Sequence, residues 1–577
     1  MTYRCGRHGF YLPWLAVGLA MLGAAFLFPA DITQTAVVPD TRSGYLPYKV
    51  NHFTIGLLPE NYDFFFSDKP ESLFDYQNAE LVVNRTAQLF KAEMRIRGTH
   101  AWNWDHRKPS FRLRLRGNKR IMGRQILDFI TPDDASMLAN LVSDHIAVEL
   151  GMPSPRTTIA TVLLNNDYKG LYHLAEPINV AALAGQGFTD CSVVEGNIRN
   201  SKLWAHPEVW EIEPAAGRDP EIARKALAKL LEMVMTPVDL QRIEKMAEVI
   251  DPAGFAGWSA LMTAIGSIHT NDYFGHLLVF DHKSSRLFPV IADPSGFGVI
   301  TSVGGMHTDI DIRVPLYEFL TPFLNAFFRV PEFQFQRNLQ LYKILQTQLA
   351  DDKLQKLVDS YLEQLRPLYY KETYASALIN IPLVLFSRKI PVSPQFQEKD
   401  AARLVSFMKA RRAFLLGELA NIEAELVKLH RQTSVDGKQF EHLLIRVKGH
   451  CPVAVDFTGL PGIVLADADF DGGLESPIIA SAGKVLFYPG LTETAFSEPH
   501  WLMPGRRRAD FLLTPDFQSY VIGVQSENLD ETLSRVMQSA ENAVTGEKVA
   551  IKNVDLSVSK AVQPCSKSLH AWRNLKK

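Results

Sequence analysis

Two carboxylates, Asp272 and Asp293, stand on either side of a short hairpin signal in the stretch from His269 to Gly298. A tight hairpin between them brings both to the same end of a sheet. Phosphoryl transfer needs one carboxylate to orient the attacking hydroxyl and another to hold Mg²⁺ on the phosphates. Spacing alone does not separate that reading from two turn-forming aspartates. A second group lies earlier in the chain. Lys108 heads the run Lys108-Pro109-Ser110-Phe111-Arg112-Leu113, Arg97 ends the preceding run, and Glu176 closes Lys169-Gly170-Leu171-Tyr172-His173-Leu174-Ala175-Glu176. A sheet lysine paired with a glutamate makes a clamp for nucleotide phosphates, whereas the bland reading is charge on the solvent face of strands. A third group is Asp467-Ala468-Asp469-Phe470-Asp471-Gly472, in which Asp467, Asp469 and Asp471 alternate as in the first half of a Ca²⁺ loop. Ile478 stands where such a loop has its bidentate glutamate, so a polar turn competes with the Ca²⁺ reading.

The elements that must position these residues can be read from periodicity. Glu93–Gly98 and Ser110–Arg116 alternate, with Phe111, Leu113 and Leu115 on one face and arginines on the other, as strands do. Ser136–Leu150 has helical spacing and meets a stop at Gly151-Met152-Pro153. A β-branched run, Thr158–Leu164, enters a hairpin turn at Asn165–Gly170 and returns through Leu171–Leu174. From Pro220 to Lys428 the pattern is helical, with segments at 220–235, 238–250, 254–268, 331–349, 352–370 and 400–428, interrupted by a hairpin of His276–Asp281 and Arg286–Ala292. After about residue 435 short alternating runs with Gly/Pro turns predict a β-sandwich-like domain over 435–577.

Length and composition bound the rest. A chain of 577 residues is too long for one compact core. Hydrophobic residues at 46% and charged residues at 21% exclude a mostly disordered chain and a polytopic membrane protein. A net charge of −2 gives no electrostatic case for nucleic-acid binding. Cys5, Cys191, Cys451 and Cys565 are too few and too scattered for a disulfide scaffold or a cysteine zinc site. Phe10–Pro29 is nearly continuous apolar sequence, long enough to cross a bilayer, preceded by Arg4 and Arg7 and followed by Asp31. It predicts an uncleaved single-pass anchor over 1–30, with a cleaved signal peptide as the competing reading, a linker over 31–47, and the bulk of the chain outside the cytoplasm, on the periplasmic side of a bacterial inner membrane.

Several motifs occur together in order: Arg95-Ile96-Arg97-Gly98, the Lys108–Leu113 run, the Asp134–Pro153 helix and stop, and Val162-Leu163-Leu164-Asn165 before Tyr168–Glu176. Asn271-Asp272, Asp293-Pro294-Ser295-Gly296 and a helix with Arg411 and Arg412 near its end follow. Over about Met94 to Arg412 the chain resembles the spore-coat kinase CotH family of atypical protein kinases. The resemblance implies an α+β, divergent two-lobed protein-kinase-like domain over 48–430, with an N-lobe over about 48–180 and a C-lobe over 181–430. It implies ATP and Mg²⁺ or Mn²⁺ as cofactors and transfer of the γ-phosphoryl group to a serine or other hydroxyl of an envelope protein. Asp272 matches the catalytic aspartate, Asp293 the metal aspartate, Lys108 the phosphate-contacting lysine, Glu176 its partner and Arg97 a further phosphate-side cation. Three positions depart from the family. Ile291 replaces the first acid of a paired Asp-x-Asp, and His276 and Leu277 stand where asparagines are usual and a second metal ligand would come from, which makes His276 a candidate metal ligand, poor for hard Mg²⁺ but acceptable for Mn²⁺. An alternative is therefore a weak or inactive module that binds an envelope glycan or protein, or one that phosphorylates an extracellular polysaccharide.

Overall fold

Alternation drives the first element: in β1 (Asn51–Leu57) every second residue is buried, which puts Phe53, Ile55 and Leu57 on one face. This is the pattern of a strand with one face in a core. A computed structural model of the chain describes residues 50–67, 75–98, 107–132, 134–196, 206–235, 243–267, 276–292, 294, 296–298, 312–313, 316, 322–372, 375–381, 384–390, 393–433, 439–458, 462–466, 476–478, 484–495, 511–526 and 528–554. The apolar run at 10–29 falls outside them; among the described residues no helix is long and apolar enough to cross a membrane.

After β1 come α1 (Pro59–Ser67), β2 (Gln77–Val83), β3 (Leu89–Ile96), β4 (Phe111–Leu115), β5 (Ile126–Ile130), α2 (Ala139–Glu149), β6 (Thr157–Leu164) and β7 (Asp167–Ala175). The strands close into a barrel in the order β1-β2-β3-β4-β5-β7-β6. Parallel pairing of β1 with β6, Asn51 opposite Ala160 through Ile55 opposite Leu164, makes the closure. Closure removes exposed sheet edges. Phe53, Met94, Phe111, Leu113, Leu127, Phe129, Tyr172 and Leu174 fill the interior, and the Phe111 and Phe129 rings stack 4.6 Å apart. The closed barrel corrects the expectation of an evident kinase-style N-lobe. The parallel β1–β6 pairing joins segments with no local link between them, so nothing in the alternation announces it.

Beyond the barrel follow α3 (Val180–Gly185), β8 (Cys191–Gly196), β9 (Glu211–Glu213), α4 (Pro220–Met235), α5 (Ile243–Ala247), α6 (Pro252–Ile265), β10 (His276–Asp281) and β11 (Arg286–Pro289). The strands form a four-stranded antiparallel sheet, β11-β10-β8-β9, with the predicted hairpin at its edge. Next come α7 (Pro322–Phe327), α8 (Pro331–Gln346), α9 (Asp351–Tyr369), a two-stranded hairpin of β12 (Ala375–Ile381) and β13 (Val384–Ile390), and α10 (Pro394–Ala420). Ser393 caps α10 by accepting the Phe396 N–H.

The helix expected to run on to Lys428 stops at Ala420. β14 (Ile422–Thr433) begins there and pairs with β15 (Gln439–Gly449). The C-terminal region continues through β16 (Val453–Asp456), β17 (Gly462–Ala466), β18 (Ser476–Ile478), β19 (Lys484–Phe487), β20 (Gly490–Ala495), β21 (Phe511–Asp516), β22 (Gln518–Ser526), α11 (Leu529–Ser539), β23 (Glu541–Asn542) and β24 (Ile551–Val554). A six-stranded and a three-stranded sheet share one core with α11, through residues such as Leu426, Ile445, Val453, Phe487, Ile522 and Leu533. Asn542 donates to the Leu419 carbonyl at 2.8 Å, and His450 lies 3.2 Å from Glu418, so this region is bonded directly to the end of α10.

Candidate active site

Lys108 sits just before β4, and three strand ends hold it there. The Thr131 hydroxyl donates to the Lys108 carbonyl at 2.9 Å, the Thr131 N–H donates to Ser110 Oγ at 3.0 Å, and the Arg97 N–H donates to the Ser110 carbonyl at 2.9 Å. Its Nζ lies 2.6 Å from Glu372 Oε2, with both side chains 1% exposed, and 5.3 Å from the centre of the Tyr172 ring. Glu372 Oε2 also accepts the Leu171 N–H at 2.9 Å. Gly170, at φ 87°, leaves the room: a Cβ there would stand 2.6 Å from Glu372 Oε1. Burial pulls the Lys108 ammonium below its ordinary range, and the Glu372 carboxylate opposes that pull.

Glu176 does not meet Lys108. Its carboxylate lies 3.7 Å from Arg124. The reason is strand geometry. Lys108 stands over Tyr172, and Glu176 lies beyond the end of β7. At ~3.3 Å per residue that separates them by about 13 Å along the strand. The buried carboxylate beside Lys108 comes instead from Glu372, just past the end of α9.

Arg97 belongs to a different cluster. Its Nε donates to Asp128 Oδ2 at 2.9 Å, and Arg112 donates to both oxygens of the same carboxylate at 2.6 and 2.7 Å. Asp128 is 1% exposed. Burial alone would push its carboxyl up, but Arg97 and Arg112 outweigh that and hold it below the usual carboxylate range. Across the strands Arg112 stands opposite Asp128 on one side and Arg95 on the other, so this face of β3–β5 carries an excess of positive charge.

Asp272 and Asp293 lie outside the described residues, but the segments flanking Asp293 are firmly held. The Ile291 N–H donates to the Pro153 carbonyl at 3.0 Å, Ser267 Oγ donates to the Pro294 carbonyl, and the Phe297 N–H donates to the Ile265 carbonyl at 2.6 Å. Gly296 packs so closely that a Cβ would stand 2.8 Å from the Ile265 carbonyl oxygen. Arg403 donates to the Phe297 carbonyl at 3.3 Å and to Asp400 Oδ1 at 2.6 Å. Asp400 Oδ2 accepts the Ser136 N–H at 2.9 Å, and the Tyr369 hydroxyl donates to the Ser136 carbonyl at 2.9 Å. Asp134 closes the turn by accepting the Leu138 N–H at 2.8 Å, and burial beside Asp400 pushes its carboxyl up. A continuous set of bonds therefore runs from the loop after β11, through α10 and the turn before α2, to the end of α9 that carries Glu372.

His276 begins β10, buried, with its ring 5.7 Å from that of Phe323. Burial pushes its imidazole down to about 4. A neutral imidazole against an aromatic ring fits a core residue better than a ligand of a hard cation. Among the described residues no group of three or more His, Cys, Asp or Glu side chains could hold a metal ion. Ile291 is fully buried, which fits the apolar replacement of an acid at that position. Asp467, Asp469 and Asp471 lie outside the described residues. Arg411 donates to the carbonyls of Ile312 and Thr263 at 2.9 and 3.0 Å, and Arg412 to that of Leu345 at 2.7 Å, so these arginines tie helix ends together.

Sequence reasoning missed Glu372, Asp128, Asp400 and Arg403. Arg112 stood in the Lys108–Leu113 run and alternated with the apolar positions, a signal for an outward cation. Glu372 gave no signal, because its partner lies far away in sequence.

A family model described as "CotH kinase protein" matches residues 94–415, more than half of the chain. No curated protein matches the sequence. The chain belongs to the CotH kinase protein family.

Proposed function

We propose that the chain is a membrane-anchored kinase that transfers the γ-phosphoryl group of ATP to a serine or other hydroxyl of an envelope protein. One observation carries the reading. Lys108 meets Glu372, just past the end of α9, and the last turn of α9 is bonded through Tyr369, Ser136, Asp400, Arg403 and Phe297 to the residues that flank Asp293. Catalysis of this kind is mostly positioning and charge stabilisation, so motif residues on separate elements must be fixed relative to one another. In this reading Lys108 contacts phosphate oxygens as a charged donor. Asp272 accepts the proton of the acceptor hydroxyl, and Asp293 holds the divalent cation. That cation would neutralise charge on the phosphates when bound.

A second reading, a binding module without activity, is favoured by the aromatic surroundings of His276 and the burial of Ile291. Thermal unfolding of the full chain separates the two. ATP with Mg²⁺ or Mn²⁺ raises the melting temperature under the kinase reading, and Asp293→Ala abolishes the rise. A melting temperature indifferent to nucleotide favours the binding module.

A further inference from the structure

We propose that Glu372, not Glu176, is the positioning residue for Lys108, so that the segment leaving α9 completes the phosphate-contacting site. This rests on the kinase reading and names a part of the same site. Four observations converge on it. The Glu372 carboxylate is 2.6 Å from Lys108 Nζ in a setting almost free of water. It is fixed by a second bond, from the Leu171 N–H at 2.9 Å. Gly170 supplies the space it occupies. Tyr369, in the last turn of α9, is bonded to Ser136, which ties the approach of Glu372 to the scaffold that also holds the loop after β11. Glu176 has none of these attachments to Lys108 and pairs with Arg124.

The chemistry follows. A lysine ammonium deep in a protein stays charged only beside a compensating anion. The ammonium is what contacts phosphate oxygens, and a neutral amine would not attract them. Removing the charge of Glu372 therefore acts on nucleotide phosphates through Lys108 without touching them.

The test uses the full chain with Glu372→Gln, Glu372→Asp and Glu176→Gln. Equilibrium binding of labelled ATP is measured across pH 6 to 9. The rate at which an amine-reactive acylating reagent modifies Lys108 is read by mass spectrometry over the same range, without nucleotide. Glu372→Gln is expected to weaken ATP binding by about tenfold or more and to move the onset of Lys108 acylation down by about one pH unit or more. Glu176→Gln is expected to leave both unchanged. Glu372→Asp keeps the charge but withdraws it by one methylene, so it keeps the acylation onset near that of the parent while ATP binding falls. It also serves if the glutamine variant does not fold. A parent chain that binds no ATP overturns the inference together with the kinase reading. ATP binding by the parent, with Glu372→Gln matching it in both readouts or Glu176→Gln losing both, overturns the inference alone.

Discussion

Asp128→Asn removes a single negative charge that two guanidinium groups share, and its cost can be worked from the contacts. The buried carboxylate accepts one bond from Arg97 and two from Arg112, with the arginine side chains 27% and 25% exposed. Breaking a buried pair by removing one partner costs about 3–5 kcal/mol. Here the arginines keep part of their contact with water, which reduces the expected loss to about 2–4 kcal/mol. The amide keeps the shape of the side chain, so packing in the barrel is unchanged and the loss reports charge. Urea denaturation of the parent chain, Asp128→Asn, Arg112→Gln and the double variant completes a thermodynamic cycle. The double variant is expected to be less destabilised than the sum of the singles by about 0.5–3 kcal/mol, because removing both partners leaves less charge stranded. An Asp128→Asn chain within about 0.5 kcal/mol of the parent would refute the reasoning, as would strict additivity.

Acid should weaken the protein in two separate windows. His276 is neutral and buried, so the folded chain resists a proton that the unfolded chain accepts; stability is complete above the ordinary histidine value of 6.5 and falls as pH drops toward about 4. The loss reaches about 3 kcal/mol and is absent in His276→Phe, as melting temperatures between pH 7 and 4 will show. Asp128 is held below its unfolded value of 3.8, so its contribution persists through that window and is lost only at lower pH. Gly296→Ala forces a Cβ against the Ile265 carbonyl and is expected to cost about 1–3 kcal/mol, with a fall in ATP affinity because the shifted loop leads back to Asp293. Arg403→Gln strands Asp400 and frees the Phe297 carbonyl, with an expected loss of about 2–4 kcal/mol in urea denaturation.

Local signals were legible in the sequence, and closures between distant segments were not. The Asn165-Asn166 turn was readable because both residues take positive φ, 46° and 65°, at which asparagine is favoured. The helix at Pro220–Met235 and the hairpin beginning at His276 were readable from their periodicity and start signals. The segment after Asn421 was misread because Ile422-Glu423-Ala424-Glu425-Leu426 carries strong helix formers. Pairing with β15 on one side and β24 on the other overrides that propensity. The hairpin at 375–390 and the helix Leu529–Ser539 also escaped notice. At the site, Lys108 was singled out from its run, and the carboxylate that the structure sets beside it, Glu372, was not. A run such as Lys108–Leu113 announces a strand carrying a charge, but no pattern announces which distant carboxylate the fold will deliver to it.

The measurement that bears most directly on the central claim is phosphoryl transfer. The full chain is incubated with γ-labelled ATP and Mg²⁺ or Mn²⁺, alone and with cell-envelope extract, beside Asp293→Ala. The kinase reading predicts label on the chain or on an envelope acceptor that disappears in the variant. No label under either metal, together with no ATP-dependent change in melting temperature, would contradict it.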